Sequence, residues 1–345
     1  MDKKNTKHFL YMDVLNIAAC FAVIVLHCSG TFFTYTPDEV WKLSLLLQVL
    51  ARWAVLVFLM LTGANLLSYC ERYSTAVFFR KRLIRTFLPF LLWSAVWLVW
   101  KVFERQVQIT NPRDVITAFT NNGCQSIYWF FYMLFPIYLA IPVISPLFVR
   151  SNIRRIRYFY LMILFFTAVL PLITYYTGIP FSSDFTFPLT AGNFGFLILG
   201  WLMARTEFKV WQRLLIWLSG ILGAVWMYFG AYRDIALSAD HTAQSVFLSY
   251  NSLQTAAMSA AVFLLIKSIP WQKLEQTFFA SILRTLSGAS LGIYLIHLFP
   301  IQYINRVFSN HSASYMLFMP VLVYVLCALI VVLIRMIPGI RRIFP

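Results

Sequence analysis

The sequence predicts an all-α protein: a polytopic transmembrane helix bundle of about ten spans, both termini cytoplasmic, in a single domain over residues 1–345. Three observations carry this. Of the 345 residues, 61% are hydrophobic and only 12% charged, with a mean hydropathy of +0.75, whereas a soluble domain of this size holds about a quarter charged residues. Apolar runs of about 20 residues recur along the chain, the length a helix needs to cross a bilayer. The formal charge of +16 sits in short clusters between those runs. That is the distribution of cytoplasmic loops under the positive-inside rule, not of a nucleic-acid surface, and no nucleic-acid partner is expected. The runs are continuous rather than alternating, which argues against a β-barrel.

The spans are expected, in order, at 10–34, 43–68, 86–103, 126–149, 158–177, 190–204, 214–232, 249–267, 288–304 and 315–337. The first follows Lys3, Lys4 and Lys7 and is too long for a cleavable signal core, so it is read as a retained helix. The third is entered through the basic stretch FFRKRLIR. The sixth, AGNFGFLILGWLMA, is short and glycine-rich, and the ninth is interrupted by Pro300. With both ends inside, 21 of the 28 lysines and arginines fall on the cytoplasmic side, a three-to-one bias that fixes the orientation. The longest exterior segments are then roughly 104–125 and 233–248. Neither is a catalytic domain, so any chemistry belongs within the helices or at their edges. The five cysteines are odd in number, contain no CxxC pair and imply no disulfide framework.

Ionisable groups inside spans cost at least ~2.5–3.5 kcal/mol at the bilayer centre and mark functional candidates. Three stand out. His27 ends the run NIAACFAVIVLH, and Asp13, Asn16, Cys20, Ile24 and His27 fall near one stripe of the first helix. Arg52 lies too deep in the second span for easy snorkelling and needs a partner or a polar cavity. His297, in SLGIYLIHLFP, follows Tyr294 at the i,i+3 spacing that puts both on one face. Each has a structural alternative: a neutral imidazole bonding across helices, or an arginine pinning two elements. The two histidines lack a third or fourth ligand in register, so no metal is expected. Lys81, Arg82 and Arg85 either anchor the orientation or, at a helix start with Arg82 and Arg85 on one face, form a cradle for phosphates. Trp93, Trp97, Trp100 and Trp129 are read first as membrane-belt residues and second as a sugar platform.

Five segments, in order along most of the chain, carry a resemblance. They are MDVLNIAACFAVIVLH, ARWAVLVFLMLTGANLL with Thr62-Gly63, FFRKRLIRTFLPF with its RxxR, the aromatic SIYWFFYMLFPIYLAIPVI, and SLGIYLIHLF. Together they are similar to the acyltransferase-3 family of integral membrane acyltransferases, and within it to the compact WecH-like branch of O-acetyltransferases. The resemblance implies a bundle in the cytoplasmic (inner) membrane of a bacterium that takes an acyl group, usually acetyl, from cytoplasmic acyl-CoA (acetyl-CoA) and delivers it to a hydroxyl of a cell-envelope glycan or lipid-linked sugar. It matches the family's first-helix histidine to His27, its second-helix arginine to Arg52 and its RxxR pair to Arg82 and Arg85. Two positions depart from the pattern. Asn16 stands where many members carry Arg or Lys, and Pro136 replaces a common glycine. If a cation is needed near Asn16, Lys81 is a candidate to supply it.

Acyl transfer from a thioester to a hydroxyl needs a base, an oxyanion stabiliser and a site for the donor's phosphates. His27 suits the first role, because a neutral imidazole accepts the hydroxyl proton. Arg52 suits the second, or orients His27; Lys81, Arg82 and Arg85 suit the third. A nucleophilic His27 passing through an acyl-imidazole is the variant mechanism. Cys20 and Cys28, thiols in apolar surroundings, make poor acyl carriers. The rival reading is a transporter or flippase for a glycan or lipid-linked sugar, which buried charges and interrupted helices also fit, although no internal repeat relates the two halves.

Overall fold

The computed structural model describes residues 9–182, 185–186, 193–337 and 344. Lys3, Lys4, Lys7, Arg341 and Arg342, which entered the orientation argument, lie outside them. The described chain is helical, with no strand among the described residues. In order it forms α1 (Leu10–Cys28), α2 (Glu39–Ala51), α3 (Ala54–Leu66), α4 (Thr75–Arg82), α5 (Leu88–Phe103), α6 (Pro112–Thr120), α7 (Trp129–Ile144), α8 (Ile153–Leu164) and α9 (Leu170–Thr177). There follow α10 (Phe194–Arg205), α11 (Val210–Leu237), α12 (Leu253–Ser268), α13 (Phe278–Ile296), α14 (Leu298–Ile304) and α15 (Ala313–Arg335).

Among the described residues, eight continuous helical segments are long and apolar enough to cross a membrane. The sixth and eighth expected spans are the shorter α10 and α12, of 12 and 16 residues, and the whole is a membrane protein built as a polytopic helix bundle. Boundaries moved where local chemistry overrides hydropathy. The second span begins at Glu39 rather than 43, because the Asp38 carboxylate accepts the Trp41 backbone N–H at 2.7 Å and caps the helix. It also bends at Arg52–Trp53, between α2 and α3. The ninth span breaks at His297. Pro300 cannot donate to the Ile296 carbonyl four residues back, and its ring crowds that carbonyl.

The core is organised around α1, which packs against α13, α3 and α15. A second contact, α3 against α10, brings two backbones together at Gly63 and Gly200. A methyl at Gly63 would overlap the backbone of Leu197, and one at Gly200 would overlap that of Met60. This is how small residues let membrane helices approach, and it explains why a 12-residue helix is held inside the bundle with most of its residues buried.

Candidate active site

The first half of α1 and the second half of α13, with other elements, line a cavity of about 950 Å³, at the upper end of the ~300–1,000 Å³ typical of small-molecule sites. Asn16 bridges the two helices, its Nδ2 donating to the Ser287 carbonyl at 2.9 Å and the Ser287 hydroxyl at 3.1 Å. Asp13, Asn16, Ser287 and Tyr294 all border the cavity. Its mouth carries Arg72, Arg82, Arg150, Arg205 and Lys267 against Asp13, Glu71 and Glu207, a net positive lining.

These cations are not equivalent. Lys267 Nζ is taken up by the carbonyls of Met203, Ala204 and Thr206 at 3.0–3.3 Å, where it caps the end of α10. Arg205 donates to the Ala64 carbonyl at 3.2 Å and lies over the Trp201 ring. Arg72 donates to the Asn65 carbonyl. Arg82 makes no hydrogen bond among the described residues. Its guanidinium lies 5.6 Å from the Tyr138 ring centroid, and its Nε is buried without a partner. With Arg150, whose side chain likewise makes no hydrogen bond among the described residues, it is a cavity cation with its donors free for a ligand.

The basic stretch departs from the sequence expectation in two ways. The helix starts at Thr75, so Lys81, Arg82 and Arg85 sit about two turns in, and no helix N-terminus adds to the cradle. A π-helical segment, Leu83–Phe87, follows directly on α4. Its wider turn shifts the side chains beyond it: Arg82 and the buried Thr86 border the cavity, while Arg85 is exposed and does not. Lys81 turns away from the cavity, with its ammonium 4.0 Å from the Tyr73 ring centroid. Lys81 therefore does not share the cavity with Asn16, whereas Arg82, Arg72, Arg150, Arg205 and Lys267 do.

The inner wall includes Phe58, Phe130, Phe131 and Tyr294. Beyond Tyr294 lie two histidines: His297 fully buried and His27 half-buried. The His297 ring lies 5.7 Å from that of Tyr294, and the His27 ring 5.2 Å from that of His297. The structure thus brings together His27, Tyr294 and His297 from α1 and the end of α13. His27 stands eleven residues past Asn16, roughly 16 Å deeper at ~1.5 Å per residue. Its imidazole makes no hydrogen bond among the described residues, though its surroundings are fixed. Gln48 donates to the Leu26 carbonyl at 2.7 Å, Ser44 to the Ser29 carbonyl at 2.8 Å, and Ser29 to the Val25 carbonyl at 2.8 Å. The last turn of α1 is thereby tied to α2. On the facing side Trp97 and Tyr128 both donate to the Leu295 carbonyl, at 3.2 and 3.0 Å.

Arg52 is not bonded to His27. Its Nε and Nη2 donate to the Leu248 carbonyl at 2.9 and 2.5 Å, and its guanidinium stacks on Tyr250. Tyr250 in turn stacks on Trp129, so Arg52 fastens the loop before α12 to the bend of the second span. Nη1 carries no bond among the described residues. Trp97 is fully buried against Phe299, at 3.7 Å between centroids, and none of Trp93, Trp97, Trp100 and Trp129 borders the cavity. These tryptophans are packing and tethering groups rather than a cavity platform. All five cysteines are free, and no group of three or more His, Cys, Asp or Glu converges among the described residues.

The profile of the acyltransferase domain family matches residues 9–337. The chain belongs to the acyltransferase-3 family. It is therefore a membrane acyltransferase, and the match runs from the start of α1 past the end of α15. No curated protein and no solved structure matches the chain. In this acyltransferase the sequence reading missed the polar set Ser29, Ser44 and Gln48, although Ser44 and Gln48 form an i,i+4 polar pair in an otherwise apolar helix. It also missed Arg72, Arg150 and Arg205, which read only as topology signals.

Proposed function

We propose that the protein is an O-acyltransferase, and specifically an O-acetyltransferase of the WecH-like branch. It moves an acetyl group from cytoplasmic acetyl-CoA to a hydroxyl of a cell-envelope glycan or lipid-linked sugar, in the inner membrane of a bacterium with both termini cytoplasmic. One observation carries the reading: a large cavity with a net positive lining reaches Tyr294, whose ring lies next to that of His297, with His27 beside it. The phosphates of the donor meet Arg82 first, with Arg72, Arg150 and Arg205 around it and Lys81 and Arg85 beside the mouth. Guanidinium groups suit that role because they bind phosphate with paired donors. The acyl arm then extends along α13 towards His27.

In the transfer, the unprotonated nitrogen of His27 takes the proton of the acceptor hydroxyl. The oxygen attacks the thioester carbonyl carbon, and the C=O electron pair moves to oxygen as an oxyanion, for which Arg52 Nη1 is the candidate donor. Collapse of that intermediate breaks the C–S bond. The departing thiolate takes the proton back from the His27 imidazolium, which leaves an ester, free CoA and neutral His27.

The test is transfer of labelled acetyl from acetyl-CoA by the purified protein, together with mass spectrometry of envelope glycans with and without the gene. Transfer that vanishes in His27→Ala, while the variant still inserts and folds, is the expected result. Full transfer by His27→Ala would remove the catalytic assignment. A protein that neither binds acetyl-CoA nor releases CoA would be the transporter of the rival reading.

A further inference from the structure

The break between α13 and α14 leaves His297 fully buried, at 0% exposure. Its Nδ1 lies 2.8 Å from the carbonyl oxygen of Tyr294. A carbonyl only accepts, so Nδ1 carries the proton and Nε2 carries the lone pair. That Nε2 is buried and has no hydrogen-bond partner among the described residues. Leaving a buried acceptor unpaired is costly, and the ring of His27, which can offer an N–H, lies beside it. The His27 ring centroid is 5.2 Å away, with the two planes at 40°. His27 is engaged by no other hydrogen bond among the described residues, while Gln48, Ser44 and Ser29 hold its backbone in place. At that centroid separation the two rings are close enough for a His27 N–H to be directed at His297 Nε2.

We infer that His297 is a positioning residue for His27: its Nε2 accepts the N–H of His27, fixes one tautomer, and leaves the other His27 nitrogen with its lone pair towards the substrates. The Tyr294 carbonyl, His297 and His27 then form a line of three groups in which each sets the proton position of the next. The contact strengthens when His27 takes up the acceptor's proton, because its donor is then a cation. No proton leaves His297 in this scheme. The inference rests on the reading of His27 as the base.

The experiment compares His297→Phe, which keeps a ring without an acceptor, with His297→Gln, which restores an acceptor oxygen near the place of Nε2. Acetyl transfer is measured as kcat and KM for acetyl-CoA. In parallel, nitrogen-15 spectra of histidine-labelled protein report the His27 tautomer. The expected result is a kcat about 100-fold lower in His297→Phe with KM within about twofold, a size typical of a disabled general base. His297→Gln recovers at least tenfold of that loss. His27 shows one tautomer in the unaltered protein and a mixture in His297→Phe. Wild-type kcat in His297→Phe would overturn the inference, as would equal loss in both variants. Mixed His27 tautomers in the unaltered protein would overturn it even if neither variant folds. Full activity in His27→Ala is a separate result that removes the base assignment, and the spectra judge the histidine contact without it.

Discussion

The two ends of the α1–α13 seam are built in opposite ways. At Asn16 and Ser287 the helices are joined by side-chain hydrogen bonds beside a wide cavity rimmed with arginines. About three turns further along, at His27 and His297, the same helices meet through two rings, and neither ring borders the cavity. In the proposed reaction, the first end holds the donor's phosphates and the second holds the reacting groups. On that reading the difference teaches that recognition and chemistry need not share a surface, provided that an acyl arm can pass between them at Tyr294.

Perturbations at the two ends should therefore separate. The largest effect is expected from His27→Ala, with transfer reduced about 100- to 10,000-fold and little change in acetyl-CoA affinity, measured by turnover and by binding on the same preparation. Affinity lost along with turnover would mean that the two ends are not distinct. Next comes Gly63→Val. The side chain collides with the Leu197 backbone, and overpacking of this kind costs about 1–3 kcal/mol or more, so thermal unfolding in detergent should show a clear drop in Tm. At the cavity end, Arg82→Ala should raise KM for acetyl-CoA about tenfold, which corresponds to ~1.4 kcal/mol, and leave kcat nearly unchanged. Arg85→Ala, on the exposed side of the π segment, should move KM less than about twofold; the reverse ranking would contradict the geometry of that segment.

The smallest effect lies outside the bundle. The Trp41 backbone N–H, and then His311 at 2.9 Å, hold the Asp38 carboxyl below its ordinary value. A carboxylate lowered in the folded state stabilises it above the ordinary carboxylate range, and that gain is lost as pH falls through the lowered value. Asp38→Asn keeps a helix cap, so its small deficit in Tm at pH 7 should shrink as pH falls below about 4. A deficit that does not depend on pH would point to packing rather than charge.

Much of the fold was legible because a bilayer imposes a length on apolar runs. The first, fourth, fifth, seventh and tenth spans coincide in the main with the observed helices. The sixth was legible only as something short and glycine-rich, since what buries it is a crossing with Gly63, well over a hundred residues away. The site divides in the same manner. His27, Tyr294 and His297 were visible as polar groups in apolar runs, and the structure puts them side by side. Arg85 does not join Arg82 at the cavity, which spacing alone could not show, because spacing rules assume an α-helix throughout and nothing in LIRTF announces a π segment. Arg72, Arg150 and Arg205 come from three separate segments, and their meeting at one mouth is a tertiary fact with no local signature.

That π segment has a mechanical meaning. It acts as a single extra tooth in a gear, letting α5 keep its grip on the bundle while everything before it is turned to a different angle. Excising one residue between Leu83 and Phe87 would restore an ordinary helix and swing Arg82 by about 100°, the angle per residue of an α-helix. The mouth would lose the Arg82 guanidinium while the helix that bears it stayed whole. A one-residue change in chain length at this place would thus be a way to retune how tightly the donor is held, and it would leave the histidines untouched.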